Sequence, residues 1–305
     1  MPETTVHSDV VVIGGGLAGL VTALECLQGG RRVTVVDRDT PERLGGLARW
    51  AFGGMALVDT PLQRRMKIAD SPERALADWL RFGELGEHEL WPRRWAAYYV
   101  EHSRAQVYDW LLGHGLKFMP AVNWVEKGRW GEGNSVPRYH ILWGTAQALA
   151  LRMIDAVQQA GAGGRLTLLS GWRVTALHTA AGRLQGALAR HETTGEERQL
   201  QADAVVLATG GLNGSHEQVR ANWPKDRPLP AQFLNGAHPF ADGAMHQAAA
   251  ALGAQITHAG EMWNYAAGFP HPQPHFPGHG LSTIPCKSAL WLDATGRRLG
   301  PEPLV

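Results

Sequence analysis

The pattern of hydrophobic positions at the start of the chain predicts a strand, a helix and a second strand. Every residue of Val10–Ile13 is apolar, as expected for a strand that is buried on both faces of a parallel sheet. After a glycine cluster, apolar residues at helical spacing predict a helix over Leu17–Leu27 that ends at Gly29 and Gly30. A second apolar strand is expected over Arg32–Asp37. This order of elements predicts an α/β fold class.

A later part of the chain alternates apolar and polar residues between turn signals, which predicts a β-meander. Its expected strands are Leu166–Leu169, Trp172–Thr179, Arg183–Arg190 and Glu197–Gln201. A further apolar strand is expected over Ala204–Ala208. We expect the meander to be appended to the parallel sheet of the first segment.

Residues 55–161 show helical spacing and predict a helical insertion. Ser71 is the expected N-cap of a helix that begins at Pro72, because serine and proline both favour a helix start at these positions. Further helices are expected over Trp91–Gly113 and Leu142–Ala160. The aromatic residues here are interpreted mainly as core packing, and a substrate wall is the minority hypothesis.

From about Gly243 the sequence becomes rich in proline, histidine and aromatic residues, which predicts a loop. His271, His275 and His279 are four residues apart, a spacing that would suggest a metal site on a helix. Neighbouring prolines exclude that helix. We therefore predict a rigid loop over a pocket and no metal.

Composition and charge restrict the partners and the compartment that we expect for the protein. The 305 residues are 44% hydrophobic, and the net charge of +1 gives no argument for a nucleic-acid partner. No apolar run approaches the roughly 20 residues of a transmembrane segment, and the first apolar run lacks the basic flank of a signal peptide. Cys26 and Cys286 are far apart and indicate neither a disulfide framework nor a zinc site. We expect a cytoplasmic protein.

Three glycines after the first strand have the spacing of a dinucleotide-binding turn. Gly14 permits a tight turn, Gly16 lets backbone N–H groups approach a pyrophosphate, and Gly19 allows close packing of helix and strand. Asp37 ends the second strand, where an acidic side chain can accept hydrogen bonds from a ribose. Together these features predict a dinucleotide site, and the alternative is a glycine-rich turn of another α/β protein.

A second glycine-bracketed loop favours FAD over a nicotinamide dinucleotide. The segment Gly45–Gly54 follows Asp37 closely, and its bare backbone suits a longer ligand whose flavin also contacts main chain. A meander that ends in Thr209, Gly210 and Gly211 after a dinucleotide-binding unit is the arrangement of flavoproteins with such folds. No second glycine motif follows a strand, so an integral NAD(P)H domain is not expected.

With these motifs the chain resembles the FAD-dependent oxidoreductase 2 family, which includes fumarate reductases, succinate dehydrogenases and 3-ketosteroid dehydrogenases. Within it, the chain is most similar to bacterial FAD-binding dehydrogenases of unassigned substrate. The resemblance rests on Gly14, Gly16 and Gly19 with Asp37, on GGLARWAFGG at Gly45–Gly54, on VVLATGG ending at Gly211, on ADGAMHQAAAALGA at Ala241–Ala254, and on WLDATGRRLGPE at Trp291–Glu302.

The resemblance implies an FAD/NAD(P)-binding Rossmann-like domain with a parallel sheet plus β-meander, a helical insertion and the start of an α+β capping domain. We expect the FAD-binding domain over residues 1–242, with its insertion at about 55–161. The beginning of the capping domain is expected over residues 243–305. Relatives continue beyond the last motif, so we expect the chain to be C-terminally truncated.

The motifs and the resemblance together predict the residues that contact FAD. They are Gly14, Gly15, Gly16, Leu17, Ala18, Gly19, Asp37, Arg38, Gly45, Gly46, Leu47, Ala48, Gly53, Gly54, Val174, Ala208, Thr209, Gly210 and Asp242. In succinate dehydrogenases a histidine of the second loop bonds covalently to the flavin, and Leu47 occupies that position here. We therefore expect FAD to be bound non-covalently.

The catalytic candidates are Tyr265, Glu302 and His279. Dicarboxylate-reducing relatives carry a substrate-binding histidine near the position of Tyr265, so its absence favours a less charged and bulkier substrate. Tyr265 is the best available hydroxyl acid, Glu302 matches an acid in the relatives' proton path, and His279 is a weaker candidate. A buried tyrosine and a surface carboxylate are the structural alternatives. Arg297 and Arg298 could steady an anion, although solvated arginines are the plainer interpretation.

These expectations combine into an FAD-dependent dehydrogenase or reductase that acts on a CH–CH bond. The expected substrate is a non-dicarboxylate, ketosteroid-like small molecule, and a hydride would pass between it and flavin N5. One alternative is an FAD monooxygenase or amine oxidase, which the second glycine loop disfavours. Another is an inactive or non-catalytic flavin-binding fragment. The sequence does not predict the identity of the electron acceptor or donor.

Overall fold

The computed structural model describes residues 4–124, 133–264, 268–282 and 292–298. The chain divides into two compact units. The first consists of Met1–Arg49 and Ala150–Thr283, and the second of Trp50–Leu149 and Ile284–Val305. Each unit contains a β-sheet of its own.

The longest strands in the described part of the chain belong to the first unit. The strands are β1 (Thr4–Ile13), β2 (Val33–Asp37), β3 (Gly54–Ala56), β4 (Phe118–Asn123), β5 (Tyr139–Leu142), β6 (Leu166–Ser170), β7 (Trp172–Ala180), β8 (Arg183–His191), β9 (Glu197–Leu207), β10 (Phe269–Pro270) and β11 (Gly280–Leu281).

The helices are short and connect these strands. They are α1 (Leu17–Gln28), α2 (Pro61–Arg65), α3 (Pro72–Phe82), α4 (Leu90–His102), α5 (Trp110–Gly113), α6 (Thr145–Ala160), α7 (His216–Ala221) and α8 (Ala244–Ala251). Turns of 3₁₀-helix cover Pro41–Arg43 and Gly46–Arg49, and a π-helical segment over Ser103–Asp109 joins α4 to α5. Among the described residues, no helix has the length and apolar character needed to cross a membrane.

The first unit is built on a six-stranded sheet with the order β6-β2-β1-β9-β8-β7. β1 pairs in parallel with β2 on one side and with β9 on the other. Val11 and Val12 of β1 are fully buried, as the continuous apolar run predicts. The strands β7, β8 and β9 are antiparallel neighbours and form a meander. The predicted α/β fold with a parallel sheet plus a β-meander is confirmed.

Two strand predictions in this sheet are wrong. Leu166–Leu169 does not belong to the meander, because β6 lies at the opposite edge and pairs in parallel with β2. The helix α6 precedes β6 and supplies the crossover that a parallel strand requires. The expected strands Glu197–Gln201 and Ala204–Ala208 form one strand, β9, because β1 pairs with it along nearly its whole length.

The helices of the insertion agree with the sequence pattern except at one boundary. Ser71 caps α3, where its hydroxyl accepts a hydrogen bond from the N–H of Arg74 at 3.3 Å. The expected helix Trp91–Gly113 is present as α4, the π-helical segment and α5. The expected helix Leu142–Ala160 begins only at Thr145, because its first residue ends β5.

The two faces of β1 contact different parts of the first unit. Val11 belongs to a buried cluster with Trp172, Leu200 and Met245. Helix α1 packs on the other face, where a Cβ atom on Gly19 would lie 3.2 Å from Cγ1 of Val12. The start of α1 is thereby held close to the end of β1.

The second unit contains a three-stranded antiparallel sheet with the order β3-β5-β4. Leu57, Leu62, Tyr108 and Val122 form one of its buried clusters. The predicted insertion is therefore not purely helical. Its strands are too short for their alternation to stand out in the sequence.

The second unit contains a buried network of charged side chains. The Arg138 guanidinium lies 2.8 Å from Asp70 and 2.7 Å from Asp78, and these three side chains are 4%, 0% and 3% exposed. Burial alone would raise the pKa of Asp78, but hydrogen bonds from the Ser135 N–H and from Arg138 lower it to about 2. The carboxylate is therefore charged at neutral pH, and Arg138 compensates it.

Replacing Arg138 by methionine is expected to lower the free energy of unfolding by about 3–5 kcal/mol, because it leaves the buried Asp70 carboxylate without its cation and Asp78 with only the half-exposed Arg81. Urea-induced unfolding measures this change. The matched control is Arg64→Met, which breaks an exposed ion pair with Asp59 in the same unit and should have little effect. Equal losses in both variants would contradict the assigned role of the buried pair.

Candidate functional site

The candidate site lies at the edge of the first unit's sheet where three parallel strands end. Ile13 of β1 pairs with Val36 of β2 on one side and with Leu207 of β9 on the other. The turn after β1, the residue Asp37 and the residue Ala208 therefore converge at one edge. Ligands of parallel α/β sheets bind at this kind of edge.

The turn between β1 and α1 has no room for side chains at two of its glycines. Gly14 has a φ of 108°, and a Cβ atom there would lie 2.7 Å from the carbonyl carbon of Ala208. A Cβ atom on Gly19 would overlap the carbonyl oxygen of Gly14. Both glycines are therefore required by close contacts within the protein itself.

Gly16 differs from its neighbours because a Cβ atom there would meet no protein atom within 4 Å. It is the N-cap of α1 and provides no side-chain hydrogen bond to the helix. The N–H groups of Leu17, Ala18 and Gly19 in the first helical turn have no intrahelical partner. N–H groups without an intrahelical partner and the helix dipole favour an anion at this position, and a diphosphate fits that chemistry.

The first glycine pair of the second glycine loop, Gly45 and Gly46, lies beside this turn. The N–H of Gly45 donates a hydrogen bond to the carbonyl oxygen of Gly15 at 2.9 Å. A Cβ atom on Gly46 would lie 3.3 Å from Cα of Gly16. Leu47 and Ala48 follow in a turn of 3₁₀-helix, and Leu47 is 43% exposed. The predicted first half of the loop therefore lies beside the nucleotide turn.

The second glycine pair of the loop belongs to the other unit. Gly53 has a φ of 81°, and a Cβ atom there would lie 2.5 Å from the nitrogen of Ala146. A Cβ atom on Gly54 would overlap the ring of Tyr139. The space beside both residues is therefore filled by the protein's own atoms.

Asp37 holds the nucleotide turn in place through both carboxylate oxygens. Its Oδ2 accepts a hydrogen bond from the N–H of Gly15 at 2.5 Å, and its Oδ1 accepts one from the N–H of Asp39 at 2.8 Å. Each carboxylate oxygen can accept a further hydrogen bond. Asp37 can therefore bind a ribose hydroxyl while it keeps these backbone contacts.

Arg38 connects the end of β2 to two other elements. Its guanidinium pairs with Glu192 after β8, and its Nη1 lies 2.9 Å from Asp242. It also lies over the ring of Phe240, 4.4 Å from the centroid. Asp242 in turn accepts a hydrogen bond from the N–H of Ala244 at 2.9 Å at the start of α8. The two predicted site residues Arg38 and Asp242 are thus brought together.

A buried acid next to this cluster was missed by the sequence analysis. Asp39 is 6% exposed, and its Oδ2 lies 3.1 Å from Nε2 of His238. Burial alone would raise the pKa of Asp39, but hydrogen bonds from His238 and from the Thr40 N–H outweigh it and lower the pKa. The local signal for Asp39 in the sequence was a second aspartate two residues after the end of β2.

The remaining predicted contacts lie at β9 and β7. Ala208 donates its N–H to the carbonyl oxygen of Ile13 at 2.7 Å, which fixes the segment with Thr209 and Gly210 beside the nucleotide turn. The side chain of Val174 is buried in the core, so only its main chain on the edge strand β7 is placed to contact a ligand.

Of the three catalytic candidates, Tyr265 and Glu302 lie outside the described residues. His279 stacks on His271 with ring centroids 4.3 Å apart. Burial, with the charges of His271 and His275, lowers the pKa of His279. In the ranges that the structure describes, no three His, Cys, Asp or Glu side chains are arranged to hold a metal ion.

A diphosphate-containing dinucleotide fits the bare turn, the N–H groups of the first turn of α1 and the acceptor Asp37. The FAD binding domain family matches residues 9–302 of the chain. The chain belongs to the FAD-dependent oxidoreductase 2 family. FAD is therefore its cofactor, as the two glycine loops predict.

Two curated members of this family illustrate the relationship. A KsdD-like steroid dehydrogenase of Mycobacterium tuberculosis is 40% identical over 97% of this chain and 55% of its own length. The cytochrome-type fumarate reductase of Shewanella frigidimarina is 30% identical over 72% of this chain and 35% of its own length. The chain thus spans about half, or less, of the length of these relatives.

Solved structures of the family share the fold. A 3-ketosteroid-Δ4-(5α)-dehydrogenase of Rhodococcus jostii superposes with a TM-score of 0.68 at 24% identity. The match covers 85% of this chain and 56% of that protein.

Replacing Gly16 by valine is expected to abolish FAD binding without unfolding the protein, because its Cβ atom would meet no protein atom within 4 Å and would take up the space expected for the diphosphate. The FAD content per chain, measured by visible absorbance, and the circular dichroism spectrum test this. The control is Gly113→Val at the end of α5, where a Cβ atom also meets nothing within 4 Å. Full FAD content in Gly16→Val would refute the assignment.

Proposed function

We propose that the chain is an FAD-dependent oxidoreductase that introduces or reduces a carbon–carbon double bond in an apolar, ketosteroid-like substrate. The main support is the 40% identity to a protein named as a steroid dehydrogenase, which extends over 97% of the chain. The nucleotide turn and its neighbouring loop are consistent with this proposal, because they provide a surface for FAD.

Bound flavin supplies a two-electron acceptor or donor, since its N5 takes or gives a hydride at the reacting carbon. The residues of this chain bind and orient the cofactor in our proposal. The N–H groups of Leu17, Ala18 and Gly19 receive the diphosphate, and Asp37 receives the adenosine ribose. The loop that begins at Gly45 provides further main-chain contacts.

Proton transfer at the neighbouring carbon requires an acid or base of the protein. The candidates are the residues that the sequence predicts. We propose Tyr265 as the hydroxyl acid, Glu302 as part of a proton path and His279 as a weaker candidate. The lowered pKa of His279 agrees with a role as base.

The substrate is proposed to be a small molecule that is not a dicarboxylate. No histidine stands where dicarboxylate-reducing relatives hold one, near Tyr265. Without a histidine to pair with a carboxylate, the site gains little from binding a charged substrate. An apolar substrate can be bound by burial of its surface.

We further propose the domain limits that the motifs suggest, with FAD binding over residues 1–242 and a capping segment over residues 243–305. The cytoplasm is the proposed compartment, since the two cysteines show no disulfide pattern in the sequence. The electron partner is unassigned.

The purified chain is expected to be yellow, and its flavin should bleach under anaerobic conditions with a ketosteroid such as 4-androstene-3,17-dione, because the substrate transfers a hydride as its double bond forms. Visible absorbance follows the reaction. Gly16→Val, which lacks the cofactor site, is the control. Bound FAD that responds to dithionite but to no steroid or enone would favour a non-catalytic flavin-binding chain, and bleaching by succinate would contradict the substrate class.

Acid denaturation is expected to release all flavin from the polypeptide, because Leu47 offers no nucleophile for a covalent bond. Fluorescence of the supernatant and of the denatured chain on a gel measures the distribution. Apoprotein reloaded with free FAD serves as the reference. Flavin that migrates with the denatured chain would disprove non-covalent binding.

A further inference from the structure

Two aromatic side chains in the second unit stay exposed although they are among its largest apolar groups. Phe52 lies in the glycine-bracketed loop, and Trp143 follows β5. Their exposed fractions are 61% and 65%. Single exposed aromatic residues are common on protein surfaces, but a fixed group of them is typical of a binding surface.

Backbone hydrogen bonds hold the segment of Phe52 against the turn of Trp143. The N–H of Leu142 donates to the carbonyl oxygen of Gly53 at 3.0 Å. The N–H of Ala146 donates to the carbonyl oxygen of Ala51 at 3.3 Å. Phe52 therefore lies between two points of attachment, opposite the residues that follow β5.

The turn after Trp143 has a backbone conformation that needs support. Gly144 has a φ of 82°, and Thr145 has a φ of 62°. A positive φ is rare for a β-branched residue, because its side chain crowds the backbone. Such conformations persist where surrounding contacts hold them, and they concentrate at ligand sites. Here the close packing of Gly53 on Ala146 is the supporting contact.

We propose that Phe52 and Trp143 form an apolar wall that binds the substrate and sets its size. This inference rests on the proposed function and deepens it. The two side chains offer large flat surfaces, which suit a rigid fused-ring skeleton better than a short charged molecule. In this assignment Gly53 and Gly54 allow the close backbone packing that positions Phe52 and Trp143, whereas Gly45 and Gly46 contact the cofactor.

The test measures steroid binding directly and is independent of turnover. FAD-loaded protein is titrated with 4-androstene-3,17-dione by equilibrium dialysis, as the unchanged chain and as Trp143→Ala and Phe52→Ala. Each variant is expected to raise the Kd about tenfold, because it removes one aromatic surface. The control Trp95→Ala removes a tryptophan that is 68% exposed on α4 of the same unit, and its Kd should stay within about twofold.

Trp143→Phe and Phe52→Leu, which keep an apolar side chain, are titrated in parallel and should give intermediate Kd values. Equal Kd values for the wall variants and Trp95→Ala would overturn the inference, as would absence of steroid binding by the unchanged chain. FAD loss from both conservative variants would also overturn it, since the residues would then act on the cofactor or the fold. Failure of the proposed function shows separately, as steroid binding without bleaching of the flavin.

Discussion

The β1–α1 turn brings main-chain atoms so close together that side chains cannot be accommodated, and the nucleotide site depends on this constraint. A Cβ atom on Gly19 would overlap the carbonyl oxygen of Gly14, so α1 can start directly above the end of β1 only if this residue is glycine. The first N–H groups of α1 are thereby presented at the sheet edge. Gly16 needs no such close contact within the protein, and its bare backbone leaves space for a ligand.

Charged residues after β2 extend this fixed geometry beyond the turn. Asp37 binds the turn itself, Arg38 binds Glu192 and Asp242, and Asp39 binds His238. The end of β2 is thus tied to the β8 hairpin and to the start of α8. A cofactor surface held in this way loses little conformational freedom on binding, which favours affinity.

Local patterns in the sequence predicted the elements of this site but not their distant partners. The apolar run, the glycine spacing and the terminal acid are neighbours in sequence, so their arrangement could be predicted. Glu192 lies 154 residues from Arg38, and His238 lies 199 residues from Asp39, so no periodicity connects them. The position of β6 was misassigned for a similar reason, because its alternation is the same whether its neighbour is β2 or β7.

The glycine-bracketed loop shows why identical residues in one motif need not share a role. Gly45 and Gly46 approach the nucleotide turn, whereas the space at Gly53 and Gly54 is filled by residues after and within β5. Leu47, Trp50 and Phe52 lie between the two pairs and are all at least 43% exposed. Because close backbone packing restricts the glycines at both ends, the side chains between them can vary without changing the shape of the loop.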